Sequence, residues 1–489
     1  MLLKYLKSLK GNKKEETLSE PVPPGEVSQA VEEVLEEDHS LPVLTHEANI
    51  VSNVIDTLES ATDNVVSSVL EIDTHGKRTS GDTLRQRILG RLPVLDRSQQ
   101  IVGYELVLRN KDLRQARKQD EALLRMYDEM LVQGLITFEM DKLLGEKLIF
   151  ISVSPAILSC SLLNELPKEG VVLAVKVVQD KAEEQLLNLK ALVANGFKVA
   201  LDDFTYSPVF APFLRLAKFV RIDVSKIDAL SLRKQLDGLK DKAAPQLFAK
   251  NVETDETFEA CRSLSFNLFE GYYFTRLQPD KPARLDNDRM RVVELLNMVM
   301  NHAEVSELEK VFKHDAMLSY KLLRYINSPG CGLIQKIRSI AHALVMLGHD
   351  QLYRWLTLLL FTSGKPDPRS QALLKNALVR ARLVEMLGRK RLSPAESEGL
   401  FIVGIFSLLD ALLNVPMAQA VGHLNLPEPI LQALIDRKGI YAPFLELAAA
   451  CEEGEQDSID EYAAVCMLDP DAVNLAHVQA MIWAEELDK

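Results

Sequence analysis

Hydrophobic and polar residues alternate in several short runs between residues 88 and 223, and this period of two predicts β-strands. ILGRLPVLD and IVGYELVLR predict two strands around a turn at residues 97–100. The later runs KLIFISVS, VVLAVKVV, FKVALDDF and AKFVRID predict further strands, with helical spacing between them, as in residues 121–139 and 181–195. Repeated strand–helix units of this kind predict a parallel sheet, either open or closed into a barrel.

After about residue 288 the apolar residues recur at helical spacing, which predicts that nearly everything to the C-terminus is helical. The segment SPAE, residues 393–396, has the features of a helix start: a capping serine, a proline in the first turn and a glutamate three residues after the cap. His314 and Asp315 precede another helical run, where we predict that Asp315 caps the helix rather than holding a metal. The second folded half is therefore predicted to be all-α.

The first 83 residues differ from the rest in charge and composition. Residues 1–14 carry five lysines, whereas residues 15–82 contain 16 Asp and Glu against Lys77 and Arg78. An acidic segment that is poor in aromatic residues does not readily close a hydrophobic core. We therefore predict a flexible, partly disordered arm with short amphipathic helices. Leucines and lysines interspersed in residues 2–10 are compatible with weak contact to an anionic membrane surface.

Composition narrows the class of protein. The chain has 489 residues, enough for about two to four domains. A formal net charge of −13 argues against a nucleic-acid-binding protein, and no apolar run reaches the roughly 18 residues of a membrane-spanning helix. The five cysteines are scattered without a CxxC pair, which favours a reducing cytosol over a disulfide framework or a zinc cluster. We therefore expect a cytoplasmic protein without an integral membrane segment.

Polar side chains follow the predicted strands at the ends where a barrel carries its functional groups. The residues at these ends are Glu105, Ser152, Asp202, Asp203, Asp223 and Glu253. Oxygen ligands of this kind hold Mg²⁺ or Mn²⁺ in phosphoesterases, where the metal activates water and screens phosphate charge. One Asp after a strand more often caps the next helix, so it is the whole set that indicates a site.

The order of these residues resembles the EAL family, barrel enzymes that linearise the bacterial messenger cyclic di-GMP. The resemblance covers residues 84–285 and rests on the segments GYELVLR (103–109), ISVSP (151–155), LDDFT (201–205), RIDVSKID (221–228), AKNVET (249–254) and FEGYYFTR (269–276). It implies a TIM-barrel-like α/β domain. Because this segment is shorter than the roughly 250 residues of a full barrel, we expect that the barrel could be incomplete.

The resemblance also implies a metal site, and this chain departs from it at several positions. The acidic residues of active members are retained at Glu105, Asp202, Asp203 and Glu253. The altered positions are Ser152 in place of Asn, Ala174 in place of Glu, Lys250 in place of Glu, Arg221 in place of Lys and Glu270 in place of a usual Gln. Placing an ammonium in a cation site costs on the order of several kcal/mol. We therefore predict no bound metal, no cofactor, no catalytic residues and no enzymatic activity.

Binding of the dinucleotide without cleavage stays open at the same positions. The resemblance implies that Arg109 contacts a phosphate, and Lys250 and Arg221 could replace metal charge against a phosphate. The alternative is that Arg109 and Lys250 pair with the surviving carboxylates. The candidate ligand-binding residues are Glu105, Arg109, Asp202, Asp203, Asp223, Lys250 and Glu253.

The helical half resembles the HDOD domain, a non-catalytic relative of the HD phosphohydrolases. The resemblance rests on HDAMLSYKLLRYINSP (314–329) and SIAHALVMLGHDQLYRWL (339–356), and GLFIVGIFSLLDALLNVPM (399–417) resembles the part found where HDOD follows a truncated EAL domain. The expected organisation is thus an acidic arm over residues 1–83, a degenerate EAL-like barrel over 84–285 and an all-helical HDOD-like domain over 286–489.

A signalling scaffold is the function that these features favour. We predict an adaptor in cyclic di-GMP-related regulation that binds signalling or motility proteins and does not bind nucleic acid. Two alternatives stay open: a receptor that binds cyclic di-GMP without hydrolysis, and a weak metal-dependent phosphodiesterase. Analogy of fold alone does not choose between them.

Overall fold

The structure, a computed structural model, describes residues 88–108, 121–137, 147–239, 245–278, 280–284, 286–327, 336–364, 367–454 and 456–486. The predicted arm of residues 1–83, its membrane contact at residues 2–10, and Arg109 lie outside these described residues. Within the described ranges, no helix combines the length and the apolar character needed to cross a membrane. The described residues form two compact units, one of residues 88–286 with 364–486 and one of residues 287–363.

Eight strands close into a barrel in chain order. They are β1 (Ile88–Asp96), β2 (Ile101–Leu108), β3 (Leu148–Val153), β4 (Val171–Val175), β5 (Lys198–Leu201), β6 (Phe219–Asp223), β7 (Gln246–Lys250) and β8 (Leu268–Glu270). β1 runs antiparallel to both β2 and β8, and every other adjacent pair is parallel. The TIM-barrel-like prediction is confirmed, whereas the suggested incompleteness is not, because the ring of strands is closed.

The barrel closes within a short segment because several of its connections are small. The helices around it are α1 (Glu121–Thr137), α2 (Ala182–Ala194), α3 (Ala211–Leu214), α4 (Ala229–Asp237) and α5 (Asp255–Ser263). The connection from β3 to β4, which is described throughout, has two 3₁₀ helices, Pro155–Ile157 and Ser161–Glu165, and no α-helix. The length of the segment therefore wrongly suggested an incomplete barrel, because closure depends on the number of strands and not on the size of the connections.

Alternation along the strands separates an apolar layer from a polar layer inside the barrel. The apolar cluster includes Phe150, Ala200, Phe219, Phe248 and Leu268. The Phe150 ring meets Phe219 and Phe248 edge-on, with centroids 5.2 and 5.0 Å apart. Side chains two positions apart on a strand face the same side. The next inward positions toward the carboxyl ends are therefore Ser152, Asp202, Arg221, Lys250 and Glu270.

The unit of residues 287–363 contains four helices in its described part. They are α6 (Asn287–Met300), α7 (Val305–Lys313), α8 (Ala316–Ile326) and α9 (Ile340–Thr362). Asp315 caps α8 as predicted, because its Oδ1 accepts a hydrogen bond from the Leu318 backbone N–H at 3.0 Å. α9 is broken at Gly348, whose φ of 67° lies in the left-handed region that glycine tolerates.

The C-terminal helices belong to the same compact unit as the barrel. They are α10 (Pro368–Gly388), α11 (Pro394–Phe406), α12 (Leu409–Leu413), α13 (Met417–Val421), α14 (Glu428–Leu431), α15 (Ala442–Glu453), α16 (Gln456–Val465) and α17 (Pro470–Glu486), with a π-helical turn at Gln432–Asp436. Ser393 and Glu396 form the predicted capping box at the start of α11. The described residues after 288 are helical outside their loops, as the sequence predicted.

The Glu485 carboxylate on α17 contacts side chains of the barrel. Its carboxylate is 2% exposed and accepts hydrogen bonds from Arg91 on β1 at 3.2 Å and from the Tyr104 hydroxyl on β2 at 2.9 Å. Lys147, just before β3, and Lys375 on α10 contact it at 2.8 and 2.6 Å. Burial opposes ionisation, but the charges of the Arg and the two Lys lower the pKa of Glu485 to about 2. The carboxylate is thus ionised and joins the strands to two C-terminal helices.

Candidate functional site

Arg221 lies at the centre of the polar layer at the carboxyl end of the barrel. Its side chain is fully buried and lies over the Phe248 ring, 4.9 Å from the centroid. Nη2 donates to Glu105 and, at 3.2 Å, to Glu270. Nη1 lies 3.2 Å from Asp202 Oδ1. One guanidinium therefore contacts carboxylates carried by β2, by β8 and by the residue that follows β5.

Lys250 extends this ion-paired layer toward the solvent. Its side chain is 14% exposed, and Nζ donates to Asp202 Oδ1 at 3.0 Å and to Asp203 Oδ1 at 3.3 Å. Burial and the charge of Arg221 tend to lower the pKa of Lys250, but the surrounding carboxylates raise it above its usual value. Lys250 therefore stays charged and pairs with the surviving carboxylates, which is the second of the two interpretations drawn from the sequence.

Glu105 and Glu270 share the buried environment, but their pKa values shift in opposite directions. Burial opposes ionisation of both, and the charge of Arg221, together with hydrogen bonds from Glu270 and Ser152, lowers the pKa of Glu105 to about 2. Burial and the neighbouring charge of Glu105 raise the pKa of Glu270 well above its usual value. This shift favours the protonated form of Glu270, and a protonated carboxyl offers an O–H donor beside Glu105, where the amide of a Gln would offer an N–H. This explains how an acid is accommodated where the resemblance leads one to expect an amide.

Asp223 and Glu253 do not join the ion-paired layer. Asp223 accepts hydrogen bonds from the Ser225 backbone N–H at 3.1 Å and from its hydroxyl at 2.6 Å, and it contacts Lys226 Nζ at 2.5 Å. It therefore caps the 3₁₀ helix Val224–Lys226, the commoner role of an Asp after a strand. Glu253 is exposed three residues beyond the end of β7.

The residues present do not fit a pair of divalent cations in this arrangement. Asp202 Oδ1 is already in contact with Arg221 and Lys250, and Ala174 offers no ligand atom. The Ser152 hydroxyl donates to Glu105 at 2.8 Å and accepts from Arg221 at 3.1 Å. A divalent cation would have to displace a positively charged side chain of this chain before it could reach these oxygens.

Three comparisons describe what the chain is similar to. Residues 287–420 match the family model of the HDOD domain. The cyclic di-GMP phosphodiesterase CdgJ of Vibrio cholerae is 26% identical over 421 residues, which are 84% of this chain and 96% of CdgJ. The uncharacterized protein YuxH of Bacillus subtilis is 27% identical over 417 residues, or 82% of this chain and 98% of YuxH.

Two solved structures are similar to part of the chain. A PaMucR phosphodiesterase in complex with c-di-GMP is 22% identical, covering 40% of this chain and 98% of the other, with a TM-score of 0.34. BlrP1 of Klebsiella pneumoniae, in a calcium and c-di-GMP complex, is 20% identical, covering 39% of this chain and 55% of the other, with a TM-score of 0.33. The resemblance of this chain to two-domain EAL–HDOD proteins is confirmed.

The similarity to CdgJ corrects the prediction that the protein is not an enzyme. A relative that matches both halves of the chain is named a phosphodiesterase, so that prediction is wrong. The electrostatic reasoning behind it treated Lys250 as an isolated charge that repels cations. In the structure, Lys250 and Arg221 stand among four carboxyl groups, those of Glu105, Asp202, Asp203 and Glu270. The site is therefore not a centre of net positive charge.

Proposed function

We propose that this chain works in bacterial cyclic di-GMP signalling and that it transmits the signal through contacts with other proteins. The signalling context is supported by the similarity to CdgJ over both halves and by the HDOD match. The role in protein contacts is inferred from the chemistry at the carboxyl end of the barrel.

The observation that carries the contact role is the pairing of the barrel carboxylates with the chain's own cations. Arg221 is fully buried among Glu105, Asp202 and Glu270. Removing one partner of such a buried set leaves uncompensated charge, so the arrangement resists opening. Because the chain's own cations already occupy these carboxylates, this end of the barrel favours a structural role, and contact with other proteins then falls to the exposed surface outside the layer.

Binding and cleavage of cyclic di-GMP is the second candidate function, and the name of CdgJ favours it. Under this candidate a phosphate of the ligand would compete with Asp202 and Asp203 for Lys250. Glu253 separates the two candidates. It matches a metal-binding Glu in the resemblance and is exposed here, so its replacement leaves the ion-paired layer intact.

A complementation experiment tests the proposal. A strain lacking the gene receives the full chain, the Glu253→Gln variant, or the control Glu169→Gln, which changes another exposed glutamate, and motility and surface attachment are scored. We expect all three proteins to restore the behaviour to the same extent. Loss of function in Glu253→Gln alone would overturn the contact role in favour of catalysis.

The purified proteins supply the biochemical arm of the test. Cyclic di-GMP is incubated with each protein and Mn²⁺, and linear product is separated by chromatography. The second candidate would be established if the full chain makes linear product and the Glu253→Gln variant neither makes product nor complements the strain. Full complementation by a variant that makes no product would support signalling through protein contacts.

A further inference from the structure

The first segment of α9, residues 340–347, exposes a pair of large apolar side chains. Val345 and Met346 are neighbours in this segment and are 64% and 49% exposed. Val345 is the most exposed large hydrophobic residue in the described part of residues 287–363. His342, one turn earlier on the same face of the helix, is also exposed. We call His342, Val345 and Met346 the α9 stripe, and the opposite face of the segment is buried and consists of Ile340, Ala343, Leu344 and Leu347.

Two exposed cations lie next to the start of the α9 stripe. Lys336 and Arg338 immediately precede α9, and neither forms an ion pair with another described residue. Asp350, beyond the break in α9, is the exposed acid nearest along the helix. The described part of residues 287–363 contains nine Lys and Arg against seven Asp and Glu. The stripe therefore combines apolar contact area with positive charge, which favours a partner that is both apolar and acidic.

The N-terminal arm contains a segment with these two properties. Residues 26–38 read EVSQAVEEVLEED, with six Asp and Glu and no Lys or Arg. Their apolar residues recur at the spacing of one helix face and are Val27, Ala30, Val31, Val34 and Leu35. A helix of this length is marginal in water and gains its stability by packing its apolar face against another surface. The segment thus matches the α9 stripe in apolar character and is opposite to its flanking cations in charge.

We propose that residues 26–38 dock on the α9 stripe of the same chain as an amphipathic helix. The valines of the segment pack against Val345 and Met346, and its acids pair with Lys336 and Arg338. The segment lies 50 residues before β1. Such a tether spans on the order of 160 Å when extended, and it keeps the local concentration of the segment at the stripe high. The arm then covers the stripe, so another protein that binds there has to displace it.

Photo-cross-linking of the full chain tests the proposal. Val345 is replaced by the photoreactive residue p-benzoylphenylalanine, and the cross-linked peptides are identified by mass spectrometry. The matched control carries the same probe in place of Val465, which is 58% exposed on α16 in the unit that contains the barrel. Mixing unlabelled chains with ¹⁵N-labelled chains distinguishes links within one chain from links between two copies. We expect the probe at position 345, and not the probe at position 465, to link to residues 26–38 of its own chain.

Two substitutions, each made in the chain with the probe at position 345, test the apolar and the charged contacts separately. Val31→Asp should abolish the link to the arm, because it places a charge in the apolar contact. Val43→Asp adds the same charge outside the docking segment and should leave the link unchanged. Arg338→Gln should lower the yield of the link severalfold, whereas Arg389→Gln, at an exposed position of the other unit, should not.

Three results would overturn the proposal. The first is the absence of a link to residues 26–38, or an equal yield of that link from positions 345 and 465. The second is a link from position 345 that joins two chains, which would assign the stripe to self-association. The third is an equal yield in Val31→Asp and Val43→Asp, which would show that the arm meets the stripe only by random collision.

Discussion

Replacing Arg221 by Met should destabilise the barrel strongly. The substitution keeps an unbranched apolar chain over the Phe248 ring but removes the charge that faces Glu105, Asp202 and Glu270. At 3.2 Å and an effective dielectric of about 20, one such pair amounts to about 5 kcal/mol before the cost of desolvation is subtracted. Breaking a buried pair costs about 3–5 kcal/mol in practice. We therefore expect the free energy of unfolding to fall by about 4 kcal/mol.

The loss should also depend on pH in a defined direction. In the natural chain the pKa of Glu105 is about 2, below its ordinary value of 4.5. Its contribution to stability is therefore present above about pH 4.5 and is lost as the pH falls through the folded pKa. Without Arg221, burial raises the pKa of Glu105 instead, so ionisation opposes folding at neutral pH. The deficit of the variant should shrink as the pH is lowered from about 7.5 to about 5.5.

Urea denaturation followed by circular dichroism measures both effects. Arg233→Met is the matched control, because Arg233 is an exposed residue of α4 in the same unit. That control should change the free energy of unfolding by no more than about 0.5 kcal/mol. If Arg221→Met unfolds like the control, or if its deficit grows on acidification, the description of a charged buried layer is incorrect.

Three further substitutions probe the helices and their attachment by urea denaturation. Glu485→Gln should lower the free energy of unfolding by about 3 kcal/mol near neutral pH, because it leaves buried cations uncompensated. The loss should be smaller as the pH approaches 2, where the natural carboxylate is also neutralised. Equal stability of the variant and the natural chain at neutral pH would refute the anchoring role of Glu485. Gly404→Ala should lower the free energy of unfolding by about 1–3 kcal/mol by overpacking, because the new Cβ on α11 would lie 2.3 Å from Ala381 Cα on α10. Unchanged stability would show that α10 and α11 are not closely packed at this point. Ser393→Ala should cost about 1 kcal/mol through loss of the cap, and Ser393→Asp should restore it.

Sequence periodicity predicted the strands well where the runs were long. β1 covers the run from Ile88 to Asp96, and β3 and β4 fall within their predicted runs. β8 has three residues, too few for a period of two to be distinguished from chance, and β7 (QLFAK), although as long as β4 (VVLAV), has polar residues at both ends and no continuous apolar run. They could be located only through the resemblance. The incompleteness expected of the barrel came from length, which does not report strand closure.

The candidate site was predictable in its members but not in its pairings. The strand ends identified Glu105, Asp202 and Asp203 as candidates, together with Asp223 and Glu253, which lie apart from the ion-paired layer; Arg221 and Lys250 were identified only through the resemblance. Which carboxylate meets which cation depends on how the strands and the side chains are placed in space: Asp223 lies opposite Lys250 in the register of β6 and β7, yet the Lys250 ammonium contacts Asp202 and Asp203. A sequence pattern does not contain that register.

The contacts of Glu485 had no sequence signal at all. Its partners Arg91 and Lys147 lie 394 and 338 residues away along the chain. A local pattern reports neighbours on one helix or strand, and an isolated Glu near a helix end normally lies on the surface. Only the packing of α17 against the barrel makes this residue a buried anchor.

Anomalous diffraction from crystals of the full chain grown with Mn²⁺ and cyclic di-GMP tests most directly whether the chain's own cations hold the barrel carboxylates. We predict no pair of manganese peaks beside Asp202 and Asp203, with Lys250 Nζ still in contact with both carboxylates. Two manganese ions at these carboxylates, with Lys250 displaced into solvent, would contradict the internal ion pairing on which the proposed function depends.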